Sequence, residues 1–224
     1  YYKGKAFLPK AFKSQNHIAE IQGVYVPFWL FDAEADARGS YDGQVSESHR
    51  EGDYRVTTTQ HYDVRREGTA TFARVPVDGS SKMPDEHMDS IEPFDYSELK
   101  PFSTAYLPGF LADRYDEDAK TCADRAKTRI ENSTAEALRQ TLSEYAVVDT
   151  LEENINVRMK KAHYTLLPVW MLHTRWKEQD FLFAMNGQTG RLIGDLPVDK
   201  GRVAAWFARI ALPLMAVLIW LLYL

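Results

Sequence analysis

The stretch Val203 to Leu224 constrains this chain most, because it is almost uninterrupted apolar sequence at the end of an otherwise water-soluble composition. A helix needs about 20 predominantly apolar residues to cross the hydrocarbon core of a bilayer, and this run comes close to that with one charge, Arg209, near its start. Trp206, Trp220 and Tyr223 sit where aromatic rings favour the two membrane interfaces, and Pro213 is tolerated inside a span. The expectation is a transmembrane helix over 203–224. Lys200, Arg202 and Arg209 lie on its N-terminal side, and Lys or Arg beside a span is retained in the cytoplasm. The preceding body is therefore expected at the cell membrane, on its cytoplasmic side. Tyr1 is not a methionine and Leu224 has no polar flank, so the expectation is a piece of a longer chain, its span cut short.

The body before the span suits one mixed domain over 1–198. A net charge of −5 lacks the basic excess that grips phosphates, so no nucleic-acid partner is expected. The single cysteine, Cys122, can form neither an internal disulfide nor a zinc site by itself.

Val24 to Phe31 is apolar on both faces, and the chain then alternates cleanly to Ala37, as a strand does on leaving a core. Tyr54 to Val64 and Thr69 to Val77 are rich in β-branched and aromatic residues, and Arg65-Arg66-Glu67-Gly68 between them is read as a hairpin turn. These make a β unit over 18–79. Prolines 84, 93, 101 and 108 exclude a long helix over 83–110, yet Phe94, Tyr96, Phe102, Tyr106 and Phe110 need burial, so this stretch is read as an ordered wrap. Segment 113–148 holds strong helix formers without proline or glycine and is expected to be helical. A second β unit follows over 155–198, with a reversal at Asn186-Gly187-Gln188-Thr189-Gly190.

The two β units echo each other. Pro27-Phe28-Trp29-Leu30 matches Pro168-Val169-Trp170-Met171, and Val75-Pro76-Val77-Asp78 matches Leu196-Pro197-Val198-Asp199 in the same order. The expected fold is α+β, with two related antiparallel β units, a long helix inserted between them and a C-terminal transmembrane helix. An internal duplication of this kind predicts equivalent core positions for Trp29 and Trp170.

Gly23 to Phe31, Val75-Pro76-Val77-Asp78-Gly79, Ile91-Glu92-Pro93-Phe94-Asp95-Tyr96 and Leu107-Pro108-Gly109-Phe110 with Tyr115-Asp116 together resemble a family of uncharacterised bacterial membrane-anchored proteins. Its members are usually labelled for an N-terminal zinc ribbon of the transcription-factor-IIB type. The resemblance implies no activity. A zinc ribbon needs about four thiolate or imidazole ligands, which one cysteine and scattered histidines do not supply. Any ribbon, and its zinc, would lie upstream of Tyr1. Asp180 to Asp195 also looks like the terminal hairpin of PepSY-type domains, which often sit beside membrane spans.

Candidate chemistry is sparse. Asp32, Glu34 and Asp36 alternate, so in a strand they share one face and could hold a hard cation or act as an acid and base pair, although an ordinary solvated face explains them equally. Histidines 17, 49, 61, 87, 163 and 173 show no metal or catalytic spacing. Ser97-Glu98-Leu99-Lys100 has the spacing of a serine acyl-enzyme, but Pro101 pushes Lys100 out of helical geometry. Lys120, Arg125 and Lys127 near Cys122 could lower its pKa, although a small buried side chain is the commoner role for a cysteine. No catalytic residue is assigned, and no cofactor is expected in this chain. Trp29, Trp170 and Trp176 are expected as core or interface anchors. The expected function is a membrane-tethered scaffold or adaptor for another protein. The alternatives are a hydrolase built around Asp32, Glu34 or His61, and an extracytoplasmic PepSY-like binding domain.

Overall fold

The computed structural model describes residues 18–222. The element order is β1 (Ile18–Glu51), β2 (Tyr54–Asp78), α1 (Asp85–Ser90), β3 (Leu111–Ala112), α2 (Ala119–Gln140), β4 (Val147–Trp176), β5 (Gln179–Asn186), β6 (Leu192–Gly194) and α3 (Lys200–Leu222). This is an α+β fold. The strands form one six-stranded, chiefly antiparallel sheet in the order β2-β1-β4-β5-β6, with β3 paired in parallel to β1.

Two compact units emerge from the contacts. The helical unit comprises Val26–Lys82 and Asp113–Leu167. The anchor unit comprises the described residues up to Tyr25, Met83–Ala112 and the chain from Pro168 onward.

In the helical unit, α2 lies on one face of the sheet because β1 presents a stripe of small residues to it. Ala33, Ala35 and Ala37 are buried at every second position, and Ile130 packs on the first two together with Ile155, Val157 and Met159 of β4. On α2 the buried residues recur every fourth position, Cys122, Ala126, Ile130, Thr134 and Leu138, which makes a stripe narrow enough to fit that shallow strip. The helix starts where the Asp118 side chain accepts from the Thr121 backbone N–H at 2.8 Å. A bulge in β2 shifts the register between Phe31 and Ala33; Arg74 adopts a left-handed φ of 57° there and its N–H donates to Asp32 at 2.9 Å.

One turn falls elsewhere than expected. Arg65-Arg66-Glu67-Gly68 is not a reversal: β2 runs straight through it, pairing Arg38 with Glu67 and Ala37 with Gly68. The chain reverses at Gly52-Asp53, between the pair Glu51 and Tyr54, with Gly52 at φ 62°. The polar tetrapeptide is simply the solvated part of a long strand, whereas Gly52 supplies the positive φ a tight turn requires. The helix is one piece and shorter than 113–148, and β4 already begins at Val147.

In the anchor unit the 83–110 segment is ordered around buried Met88, Ile91 and Phe94, but Phe102 and Tyr106 remain exposed, against expectation. Phe181 and Phe183 of β5 form a small core with Leu172, Trp176, Leu192 and Leu196. Helix α3 is long and apolar enough to cross a membrane, and none of its apolar window is buried. Trp206 and Trp220 are exposed on it and Pro213 lies inside it, while Tyr223 falls outside the described residues.

Candidate functional site

The face of the helical unit's sheet opposite α2 is polar and open. Asp32, Glu34 and Asp36 do share it, and β4 supplies a basic partner for each. His163 Nε2 lies 3.3 Å from Asp32, Lys160 pairs with Glu34, and Arg158 reaches both Asp36 and Glu34. The Arg74 backbone N–H first, then His163, holds the Asp32 carboxyl below the usual range; Lys160 does so for Glu34, and Arg158 with Thr69 does so for Asp36. These carboxylates form a cross-strand ion-pair ladder, so their oxygens are already occupied by protein donors. Among the described residues no three His, Cys, Asp or Glu side chains converge as a metal ion would need.

At the Asp36 end of the ladder, strands β1, β2 and β4 line an open concavity of about 1370 Å³ with residues such as Asp36, Arg38, Glu67 and Asn154. Neither Asp32, Glu34 nor His61 lines it. His61 pairs instead with Asp42 at 2.8 Å. The structure therefore does not bring the proposed hydrolase residues into one pocket. Ser97 donates its hydroxyl to Asp95 at 2.6 Å, within a turn that ends before Lys100. Cys122 is buried, the commoner role of such a side chain, and its thiol is pushed up to about 12 by burial and by Glu117 and Asp78, so the nearby lysines and arginines do not activate it.

The edges of this sheet are its distinctive feature. Strand β2 ends the strand order, so over residues 54–72 no strand among the described residues pairs with its outer side; further on, the bulge at Arg74, Pro76 without an N–H and with its carbonyl accepting from Arg129 at 2.6 Å, and Asp78 with its carbonyl accepting from the Cys122 thiol at 3.5 Å interrupt the row. Between Ser46 and Gln60 the β1–β2 hairpin is an almost wholly exposed ribbon, held by cross-strand hydroxyl pairs, Ser46 with Thr59 at 2.9 Å and Ser48 with Thr57 at 2.8 Å. Sequence reasoning missed this edge because it placed a turn in the middle of β2.

The tryptophans are placed as a pair of equivalents. Trp29 and Trp170 are both half-buried, each between two buried neighbours, Phe28 and Leu30 or Val169 and Met171. Trp29 lies against the rings of Tyr115 and Tyr164 and donates its indole N–H to the Glu117 carbonyl at 3.0 Å; Trp170 lies against Phe110. Trp176 packs at the end of the β4–β5 hairpin. Trp29 and Trp170 are thus half-buried rather than enclosed in a core.

No family model and no solved structure matches the chain. It is similar to the uncharacterised protein YdjG of Bacillus subtilis (strain 168), with 38% identity over 203 residues, which is 91% of this chain. The likeness extends into both compact units. The chain spans 60% of the length of that relative.

Proposed function

We propose that this chain is a membrane-tethered scaffold in which α3 crosses the bilayer and the body, on the cytoplasmic side, holds another protein along the outer edge of β2. The observation that carries the reading is the uncovered edge itself. Strands in globular proteins typically run about 5 to 6 residues, and their edges are normally kept short, covered or interrupted. The unpaired row of backbone N–H and C=O groups over residues 54–72, ahead of the Arg74 bulge and Pro76, is suited to an added strand, so the occupant is an extended segment of a partner protein. The exposed α3 and the cations Lys200 and Arg202 in its first turn support tethering and the cytoplasmic orientation.

Photo-crosslinkers placed at Thr57, Thr59 and Thr71 in native membranes should trap one protein of discrete mass through an extended segment. No adduct from a chain that fractionates with membranes would remove the edge-binding reading. A reporter fused ahead of Tyr1 that is active only outside the cell would reverse the orientation and favour the extracytoplasmic alternative.

A further inference from the structure

The β4–β5 hairpin closes on Lys177 and Glu178, flanked by the pair Trp176 and Gln179. Both turn residues have left-handed backbones, with φ of 48° and 62°. Two-residue turns of that kind favour Asn-Gly, so a lysine and a glutamate are held there against local preference. The turn stands beside the start of α3: Trp176, Lys177 and Gln179 on one side and the Pro197–Lys200 segment on the other enclose a cleft of about 360 Å³. Trp176 and Leu196 pack against the same Phe181 and Phe183 core, which fixes the tip to the segment leading into α3.

The charges around the cleft are unequal in their engagement. Arg175 faces Asp180 at 3.7 Å, and Arg202 faces Asp199 at 3.9 Å. Asp199 also accepts from the Arg202 backbone N–H at 3.1 Å, so the first turn of α3 is already capped. Lys177 and Lys200 have no carboxylate partner among the described residues, and the Lys177 ammonium sits 5.8 Å from the centre of the Trp176 ring. A tryptophan with two free ammonium groups, one residue range ahead of an apolar helix, matches the chemistry of the headgroup layer, where indoles concentrate and lysines meet phosphate.

We propose that this cleft grips the phosphate of an anionic phospholipid headgroup between Lys177 and Lys200, seating the hairpin tip in the membrane interface. The proposal rests on the reading of α3 as a membrane span. It makes the anchor unit a two-point attachment, in which the hairpin limits how freely the body swings about its helix.

The test uses the full chain in lipid nanodiscs with a fluorophore on E178C or, separately, on L214C in α3. Cys122 stays unlabelled because it is buried and its thiol is held up to about 12. With phosphatidylglycerol present, the fluorophore at 178 should be quenched by headgroup-attached spin labels, and the one at 214 by tail-attached labels. Each lysine near an anionic surface contributes about fivefold, so K177E/K200E should lower the ratio of docked to undocked tip by at least about 25-fold. Quenching at 214 without quenching at 178 overturns the proposal and leaves the span standing. Quenching at 178 that is equal in phosphatidylcholine and indifferent to K177E/K200E also overturns it. Absence of quenching at both positions overturns the membrane reading beneath it.

Discussion

The β1–β2 hairpin of the helical unit and the β4–β5 hairpin of the anchor unit share one frame and fill it with different chemistry. In the first, Phe28 pairs with Asp78, and the Gly79 N–H donates to the Pro27 carbonyl at 2.9 Å. In the second, Val169 pairs with Asn186, and the Gly187 N–H donates to the Pro168 carbonyl at 2.8 Å. The tryptophans follow at the next pair, Trp29 with Val77 and Trp170 with Met185. The residue before each glycine is buried. Asp78 accepts from Arg125 of α2 at 2.6 Å, whereas Asn186 donates to the carbonyls of Ile91 and Pro93, each at 3.0 Å, and accepts from the N–H groups of Gln188 and Thr189. A carboxylate only accepts, so it suits a helix side chain that donates; an amide does both, so it can tie a loop backbone. Two hairpin ends of the same backbone register thus meet two kinds of neighbour with different functional groups.

Exchanging those groups should break the comparison hardest. Asn186→Asp aims a buried carboxylate at two carbonyl oxygens and should destabilise the anchor unit by about 4 kcal/mol, read as lost amide protection across β5. A silent substitution would mean that the backbone frame alone holds the 83–110 segment. Asp78→Asn leaves Arg125 without its carboxylate and should cost about 3 kcal/mol, somewhat less because the guanidinium keeps partial access to water; protection in α2 is the measurement. The glycines sharpen the comparison next. A Cβ at Gly187 would meet the Pro168 carbonyl oxygen at 2.8 Å, while one at Gly79 would meet the Trp29 indole at 3.0 Å and the Glu117 carbonyl at 3.2 Å. Gly187→Ala should therefore cost about 2 kcal/mol and Gly79→Ala about 1 kcal/mol in chemical denaturation; the reverse order would show that the two frames are not equivalent.

The smallest difference is electrostatic, since only the helical unit carries the ladder of Asp32, Glu34 and Asp36 with β4. Their carboxyl pKa values are depressed on folding, so the stabilisation is complete above the ordinary values of 3.8 and 4.5 and fades as pH falls through the lower folded values. Acidification below 4.5 should weaken amide protection at the β1–β4 pairing before it weakens β4–β5. Arg158→Ala should flatten that acid response; an unchanged response would mean that the ladder contributes nothing measurable.

Much of this was legible in the sequence. Alternation exposed the two faces of β1 up to Ala37, a run of strong helix formers without proline or glycine exposed the helix, and the Pro-x-Trp echo pointed to two strands whose tryptophans fall at like pairs. The second half of the echo misled. Leu196-Pro197-Val198-Asp199 precedes α3, and the true equivalent of Val77-Asp78-Gly79 is Met185-Asn186-Gly187, because the match lies in backbone register and an Asp-to-Asn exchange hides it. The acidic stripe was visible, but its occupation by Arg158, Lys160 and His163 was not, since those residues lie over a hundred positions away. The β2 edge was lost to a turn assigned on polarity alone.

The sequence by itself determined the apolar C-terminal helix, the α+β composition and the face that each β1 residue takes, because these follow from local runs and from a side-chain period of two. Only the tertiary structure decided which cations occupy the β1 carboxylates, where the first hairpin reverses, which strand edge is left open and which lysines stand at the start of α3. Each of those depends on what a distant segment places alongside, and no local pattern encodes a partner.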